Sequence, residues 1–269
     1  MQKVFIIIPC YNEERRLPIH AFRQFLATRK AELIFVNDGS TDQTLQILDL
    51  LKMEFSQQVH ILNLPKNVGK GEAVRQGIFA LEKLNTRDII GFMDADLSTP
   101  LAEVDNFLIE FNDTRLQFVF GSRISRIGAR IERFNHRHYF GRLIATLVSL
   151  YLHLPIYDSQ CGAKFFHAGL ATKLFFNPFV SRWLFDVEIF KRIELLNIKV
   201  SECSLELPLH TWIEKGGSKI RLRDYLNLPF EFYRIAHYYS HLRSNSPFSL
   251  SPIKTLISLE PKTRTMYEA

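Results

Sequence analysis

Asp94-Ala95-Asp96 sets two carboxylates two positions apart, directly after an apolar run, so that in strand geometry both side chains point the same way. Converging carboxylates with no basic neighbour repel each other unless a cation neutralises them. A hard divalent ion, Mg2+ or Mn2+, does this with one or two protein carboxylates and fills its remaining positions with water and phosphate oxygens. Such an ion would hold a diphosphate. Alone, Asp-x-Asp is equally the mark of solvated turn acids, so its surroundings must decide. In Asn37-Asp38-Gly39-Ser40 a short acceptor side chain can reach a nucleobase N–H or a ribose hydroxyl, although an Asx-turn with a helix cap uses the same residues. Tyr11 can lay its ring on a base and Glu13 can reach a ribose hydroxyl, or the pair can be a buried tyrosine and a first-turn helix acid. Asn67-Val68-Gly69-Lys70-Gly71 offers backbone N–H groups and an ammonium to phosphate at a helix start, without the spacing of a P-loop.

These groups need elements to hold them. Over the first ~120 residues short apolar runs alternate with helix-period stretches, the pattern of βα units feeding a largely parallel sheet. The spacing predicts strands at Val4–Ile8, Glu32–Val36, Val59–Asn63, Asp88–Met93 and Gln117–Phe120. Helices are expected at Glu14–Ala27, Asp42–Phe55, Gly69–Leu84 and Leu101–Asn112, with Ser40 and Thr41 as N-cap candidates and Pro100 at a helix start. The strands are nearly continuous in apolar character, as strands covered on both faces should be. The polar clusters follow strands one, two and four, so three carboxylate-bearing loops converge on the edge where such sheets bind ligands.

Beyond Gly121 the alternation loosens into a basic stretch Arg123–Arg142, an apolar run Leu143–Ile156, and aromatic blocks Phe165–Phe190 and Tyr225–Tyr239. The organisation read from this is a nucleotide-binding half over 1–122, an acceptor-binding half of the same domain over 123–239, and a tail over 240–269. The chain has 269 residues, 46% hydrophobic and 23% charged, which excludes collagen-like and wholly disordered proteins. Its formal charge of +6 calls for an anionic partner, and its 23 phenylalanines must fill a core or cover an apolar-facing surface. Cys10, Cys161 and Cys203 are odd in number and lack CxxC spacing, so neither a disulfide framework nor a thiolate zinc site is expected. No export signal is visible, and the longest apolar segment falls short of the ~20 residues that cross a bilayer. A cytoplasmic protein, peripheral on a membrane, is the expectation.

Taken in order, Pro9-Cys-Tyr-Asn-Glu13, Asn37-Asp-Gly-Ser-Thr-Asp42, Asn67-Val-Gly-Lys-Gly71, Asp94-Ala-Asp-Leu-Ser98 and Gly121-Ser-Arg123 resemble the inverting family 2 glycosyltransferases of the GT-A fold. Asp158-Ser-Gln-Cys-Gly-Ala-Lys-Phe-Phe166 and Arg182-Trp-Leu-Phe-Asp-Val-Glu188 look most like the polyprenyl-phosphate enzymes, within them the dolichyl-phosphate β-glucosyltransferase type. The resemblance spans roughly Val4 to Arg221. It implies a Rossmann-like, mostly parallel sheet flanked by helices, with an acceptor-binding second half. It further implies a nucleotide-sugar held by Pro9, Tyr11, Glu13, Asp38, Lys70 and Asp94, with Mg2+ or Mn2+ ligated by Asp94 and Asp96. Asp186 falls where relatives place an acceptor-side carboxylate, their catalytic base. A lipid phosphate acceptor, however, has a second pKa near ~6 and is already anionic, so it needs cations more than a base, and Asp186 stays the catalytic candidate, positioning the sugar or a basic residue. Arg123, Lys215 and Lys219 are the candidates, with Arg221 beside them.

The implied reaction is transfer of a hexose, glucose from UDP-glucose, onto a polyprenyl or dolichyl phosphate. The alternatives are a GDP-mannose donor, a soluble or polysaccharide acceptor, or a non-catalytic nucleotide-binding protein; no nucleic-acid partner is expected. Asn37 stands where the family often has a first Asp. Arg126, Arg130, Arg133, Arg137 and Arg142, with Phe134, Phe140 and Leu147, have the composition of a helix lying in a membrane interface or packed on the sheet. Phe165, Phe166, Phe175, Phe176, Phe179, Phe185 and Phe190 gather around the acceptor-side motifs, where an isoprenoid groove would draw on them and core packing is the other use.

Overall fold

The computed structural model describes residues 2–133, 135–182, 184–216 and 222–245. Its first half is the expected βα ladder: β1 (Val4–Cys10), α1 (Ile19–Thr28), β2 (Glu32–Asp38), α2 (Thr44–Glu54), β3 (Val59–Leu64), α3 (Lys70–Phe79) and β4 (Ile89–Phe92). A 3-10 turn (Leu101–Glu103) leads into α4 (Val104–Glu110) and β5 (Phe118–Ser122). There follow β6 (Arg130–Glu132), α5 (Asn135–Leu152), β7 (Lys164–His167), α6 (Ala168–Leu174), α7 (Phe185–Leu195), α8 (Val200–Cys203), β8 (Ser204–Pro208), β9 (Thr211–Ile213) and α9 (Leu222–Asn245).

Seven strands form one sheet in the order β3-β2-β1-β4-β7-β5-β8, and β6 pairs with β9 in a separate ribbon. Only β7 runs against its sheet neighbours β4 and β5. The chain moves outward from β1 through β2 and β3, then returns to β4 on the other side of β1, which opens a crevice at the carboxyl ends of β1 and β4. Strand alternation splits the core into two layers. Ile7, Val36, Phe92 and Phe166 pack under α3, α6 and α7, while Ile6, Ile8, Phe35 and Phe165 pack under α1, α2 and α4.

Several boundaries differ from expectation for local reasons. The first helix starts at Ile19 rather than Glu14, because the Glu13 carbonyl closes a turn with the N–H groups of Arg16 and Leu17, and Pro18 bars helical continuity at its predecessor. The second starts at Thr44, whose N–H is capped by the Asp42 carboxylate at 3.0 Å; Ser40 and Thr41 lie before it. Arg126, Arg130 and Arg133 are not on a helix, since α5 begins only at Asn135; Phe134 lies outside the described residues. The expected tail is helical as far as Asn245 in α9. Most of the phenylalanine excess is core: Phe165, Phe166, Phe175, Phe185 and Phe190 are buried, and Phe118 stacks on Phe166 with ring centres 4.4 Å apart. Phe176 and Phe179 are half-buried.

The three cysteines are buried and unbridged. One buried polar knot ties the second half together. Glu188, on α7, accepts hydrogen bonds from the N–H groups of Val180 and Ser181 and from Tyr239 Oη of α9 at 2.8 Å. Arg192 donates to Tyr239 Oη and to the carbonyls of Leu174, Asn177 and Pro178. Among the described residues no helix is long and apolar enough to cross a membrane.

Candidate active site

Strand β4 ends at Phe92, so Asp94 and Asp96 are aimed by the turn that follows, not by strand alternation. Leu97 donates to the Asp94 carbonyl at 3.1 Å and takes φ 50°, which curls both carboxylates over the crevice. They are not without basic neighbours, as the sequence suggested. Lys70 Nζ, on the first residue of α3, lies 2.5 Å from Asp94 Oδ1, and an Arg16 nitrogen lies 3.9 Å from Asp96 Oδ2. Burial works against ionising Asp94, but the charge and hydrogen bond of Lys70 outweigh it and hold the carboxyl below its ordinary range. Asp96 goes the other way, raised by burial and then by the negative charge of Asp94. Its Oδ1 accepts from Ser98 N and Oγ at 3.0 and 2.9 Å, leaving Oδ2 toward Arg16. Behind Asp94 sits Gly162, where a Cβ would stand 2.5 Å from the Asp94 carboxyl carbon.

The nucleoside-side candidates lie on neighbouring loops. Pro9 and Tyr11 are half-buried at the end of β1. Glu13 is buried and grips Arg16 with a two-pronged ion pair at 2.7 and 2.9 Å, and the same arginine donates to the Gly216 carbonyl at 3.2 Å. Asp38 is turned to construction of the loop: Oδ1 accepts from Val68 N at 2.7 Å, while Oδ2 accepts from Gly69 N at 3.0 Å and Asn67 Nδ2 at 2.9 Å. Burial raises its pKa more than these donors lower it. Gly39 closes this corner at φ 65°, with Asn67 N only 2.5 Å from where its Cβ would be. Asn37, in the place of an acid, donates to Asn63 Oδ1 at 2.7 Å.

Asp186, at the start of α7, is brought to the same crevice and pairs with the fully buried Lys164 of β7 at 2.6 Å. Lys164 also donates to the Cys161 carbonyl at 2.6 Å. The charges of Asp94, Asp186 and Asp96 together raise Lys70 against the burial that lowers it. Thus Lys70, Asp94, Asp96, Lys164 and Asp186 form one electrostatic cluster.

The acceptor-side cations divide. Arg123 is locked onto Asp158 by a fork at 2.6 and 2.7 Å, and Arg133 reaches the same Asp158 at 3.4 Å. Both guanidiniums lie over Trp212, at 5.3 and 5.4 Å. Burial, then the neighbouring Arg123, lowers the Arg133 pKa, as expected where two guanidiniums share one carboxylate. Lys215 is exposed beside Gly216, and Lys219 and Arg221 lie outside the described residues. Sequence reasoning missed Arg16, Gly162, Lys164 and the Asp158 bridge. Gly162, Lys164 and Asp158 lay inside a motif already singled out, but nothing local shows that they meet Asp94, Asp186 and Arg123.

The family model described as glycosyl transferase family 2 matches residues 5–175. A dolichyl-phosphate β-glucosyltransferase of Trichomonas vaginalis is 31% identical over 251 residues, covering 88% of this chain and 73% of that protein. The human protein of that name is 31% identical over 240 residues, covering 81% of this chain and 70% of the relative. Among solved structures, glucosyl-3-phosphoglycerate synthase from Mycobacterium tuberculosis, in complex with Mn2+, UDP-glucose and phosphoglyceric acid, aligns with a TM-score of 0.61 at 16% identity, over 87% of this chain and 80% of that one.

Proposed function

Because the chain belongs to glycosyl transferase family 2 and is a glycosyltransferase of GT-A fold, we propose that it moves glucose from UDP-glucose onto dolichyl or polyprenyl phosphate, with inversion and with a divalent metal. The carrying observation is the crevice at β1 and β4, where Asp94 and Asp96 converge opposite the Asp38 and Glu13 loops. Its acceptor side is supported by the relatives, which are dolichyl-phosphate β-glucosyltransferases by name.

The donor set suits Mg2+ or Mn2+. Asp94 and Asp96 supply two carboxylates, a number such an ion accepts when water and phosphate oxygens complete its shell. Asp94 and Asp96 would hold it. Bound there, the metal would offset charge on the leaving nucleoside diphosphate. Pro9 and Tyr11 take the nucleoside, Glu13 a ribose hydroxyl, and Asp38 acts by fixing the loop that presents Lys70. Arg123 and Arg133 share one carboxylate and so carry surplus positive charge for the acceptor phosphate, joined by Lys215 and Lys219. That phosphate is anionic near neutral pH, its second pKa being about 6. Asp186 is therefore assigned to orienting charge, through Lys164 and Lys70, rather than to removing a proton.

To meet a lipid headgroup the protein docks peripherally, and the exposed Leu147 and Leu150 of α5 and Phe230 and Tyr233 of α9 offer apolar surface for it. The test is incubation with radiolabelled UDP-glucose, Mn2+ and dolichyl phosphate in vesicles, followed by organic extraction. Label in the organic phase, dependent on metal and absent with GDP-mannose, is expected. Label confined to the aqueous phase would show a soluble acceptor or hydrolysis instead.

A further inference from the structure

Lys70 is a cation on a flexible tether above a fixed anchor. Its backbone opens α3 immediately after Gly69, which takes φ 97°, and that turn is held from two sides. Asp38 accepts from the N–H groups of Val68 and Gly69, and Arg182 packs over Gly69 while donating to Asn67 Oδ1 at 2.8 Å. Only the four-carbon stem of Lys70 is free to swing. Asp94 has no such freedom on the side away from Lys70, because its carboxyl rests on Gly162 with no room for even a methyl group between them. The ammonium sits 2.5 Å from a carboxylate oxygen of Asp94 that a metal would need.

We infer that Lys70 is an internal counter-ion that occupies Asp94 until the donor arrives, so that the divalent metal enters together with the nucleotide diphosphate and binds poorly before it. Lys70 has this role only where Asp94 and Asp96 hold the metal, as proposed above. A cation arriving alone must displace the ammonium and leave it beside its own positive charge. A cation arriving with a diphosphate brings the ammonium a new anionic partner at the N-terminal end of α3, where backbone N–H groups also favour phosphate. The remaining charges reinforce this arrangement. Asp186 and Asp96 both draw on Lys70, while Lys164 is buried on Asp186 and Arg16 is forked to Glu13, so Lys70 is the one of these three cations whose stem can leave for a ligand. Binding of metal and of nucleotide are then coupled, and linkage requires each to tighten the other by the same factor.

The experiment is titration of Mn2+ into the metal-free full-length protein, with the free ion followed by its electron paramagnetic resonance signal, without and with saturating UDP. Wild type, Lys70→Met, Lys70→Gln and Asp96→Asn are compared, with thermal unfolding as a check that each is folded. Without UDP, Lys70→Met and Lys70→Gln are expected to bind Mn2+ at least about tenfold more tightly than wild type, since a positive charge within contact distance has been removed. With UDP the advantage shrinks to less than about threefold, because Lys70 then binds the diphosphate; the gain in Mn2+ affinity on adding UDP is thus larger in wild type. Asp96→Asn should lose Mn2+ binding in both conditions. If both Lys70 variants bind Mn2+ without UDP no more tightly than wild type while Asp96→Asn loses it, the counter-ion role is wrong and the metal site stands. If Asp96→Asn binds Mn2+ like wild type, the metal is elsewhere and both assignments fall.

Discussion

Gly162→Ala should cripple transfer while leaving the fold in place, and the structure sets the size of the effect. A Cβ at this position would stand 2.5 Å from the Asp94 carboxyl carbon. Two non-bonded carbons settle at about 3.5–4.0 Å, so the carboxylate must withdraw by about 1 Å, or β4 and the loop before β7 must part by as much. The withdrawal drives Asp94 against Lys70 and out of register with Asp96. A misplacement of about 1 Å at a reacting centre costs on the order of 100-fold in rate, whereas one inserted methyl group in a packed interior costs about 1–3 kcal/mol of stability. Initial rates of glucosyl transfer to dolichyl phosphate, measured with thermal unfolding on the same samples, separate the two. The expected result is a kcat lower by about 100-fold in a protein that still unfolds cooperatively. A variant that keeps its rate within about threefold of wild type would show that Asp94 does not need this position, and the argument for a metal carboxylate backed by glycine would fail.

Other consequences follow from the ion pairs. Lys164→Met leaves Asp186 buried without its cation and should cost about 3–5 kcal/mol in urea unfolding. The double variant Lys164→Met/Asp186→Leu should recover much of that loss, and strict additivity would mean the two do not interact. Arg133→Gln should raise the KM for dolichyl phosphate about tenfold, the worth of roughly 1.4 kcal/mol, with the KM for UDP-glucose unchanged; an effect on the donor alone would remove Arg133 from the acceptor site. The pH dependence of stability should carry the mark of Asp158. Burial opposes its ionisation, but the charge and hydrogen bonds of Arg123 prevail and its pKa is lowered. A carboxyl lowered in the fold contributes stability that is fully present above its unfolded value of about 3.9 and is lost as pH falls through the folded value. Urea midpoints of wild type should therefore drop more steeply below about pH 4 than those of Asp158→Asn, and parallel curves would refute the pairing.

The βα ladder of the first half was legible because its signals are local. A strand announces itself in Val4–Ile8 or Glu32–Val36 by composition, and the polar residues that follow it are carried to the sheet edge by rule. The helix start at Ile19 was also legible, since Pro18 stands in the sequence just before it. What could not be read is whatever depends on distant pairing. Lys164 begins a short Lys-Phe-Phe-His strand, and nothing near it reveals that Asp186, which makes its burial tolerable, comes from a helix that starts two elements later. Arg123 looked like a cation for phosphate, and only the fold brings Asp158 to neutralise it and Arg133 to restore the excess. Asp38 has the chemistry of a nucleoside ligand, and only the fold shows that it also builds the turn, accepting from Val68 and Gly69.

Strand β7 lies between β4 and β5, although it is made more than forty residues after β5. As the chain leaves the ribosome, β1 to β4 can zip together in sequence, but β5 has no place to lie until β7 has appeared, and β8 can then close the far edge. Residues 1–122 alone would thus carry the Asp38, Lys70 and Asp94 loops and still end in a sheet with a gap where β7 belongs, its Asp94 without Gly162 behind it. Synthesis must pass residue 167 before Asp94 has its wall, which makes completion of the sheet and completion of the site a single event in the life of the chain.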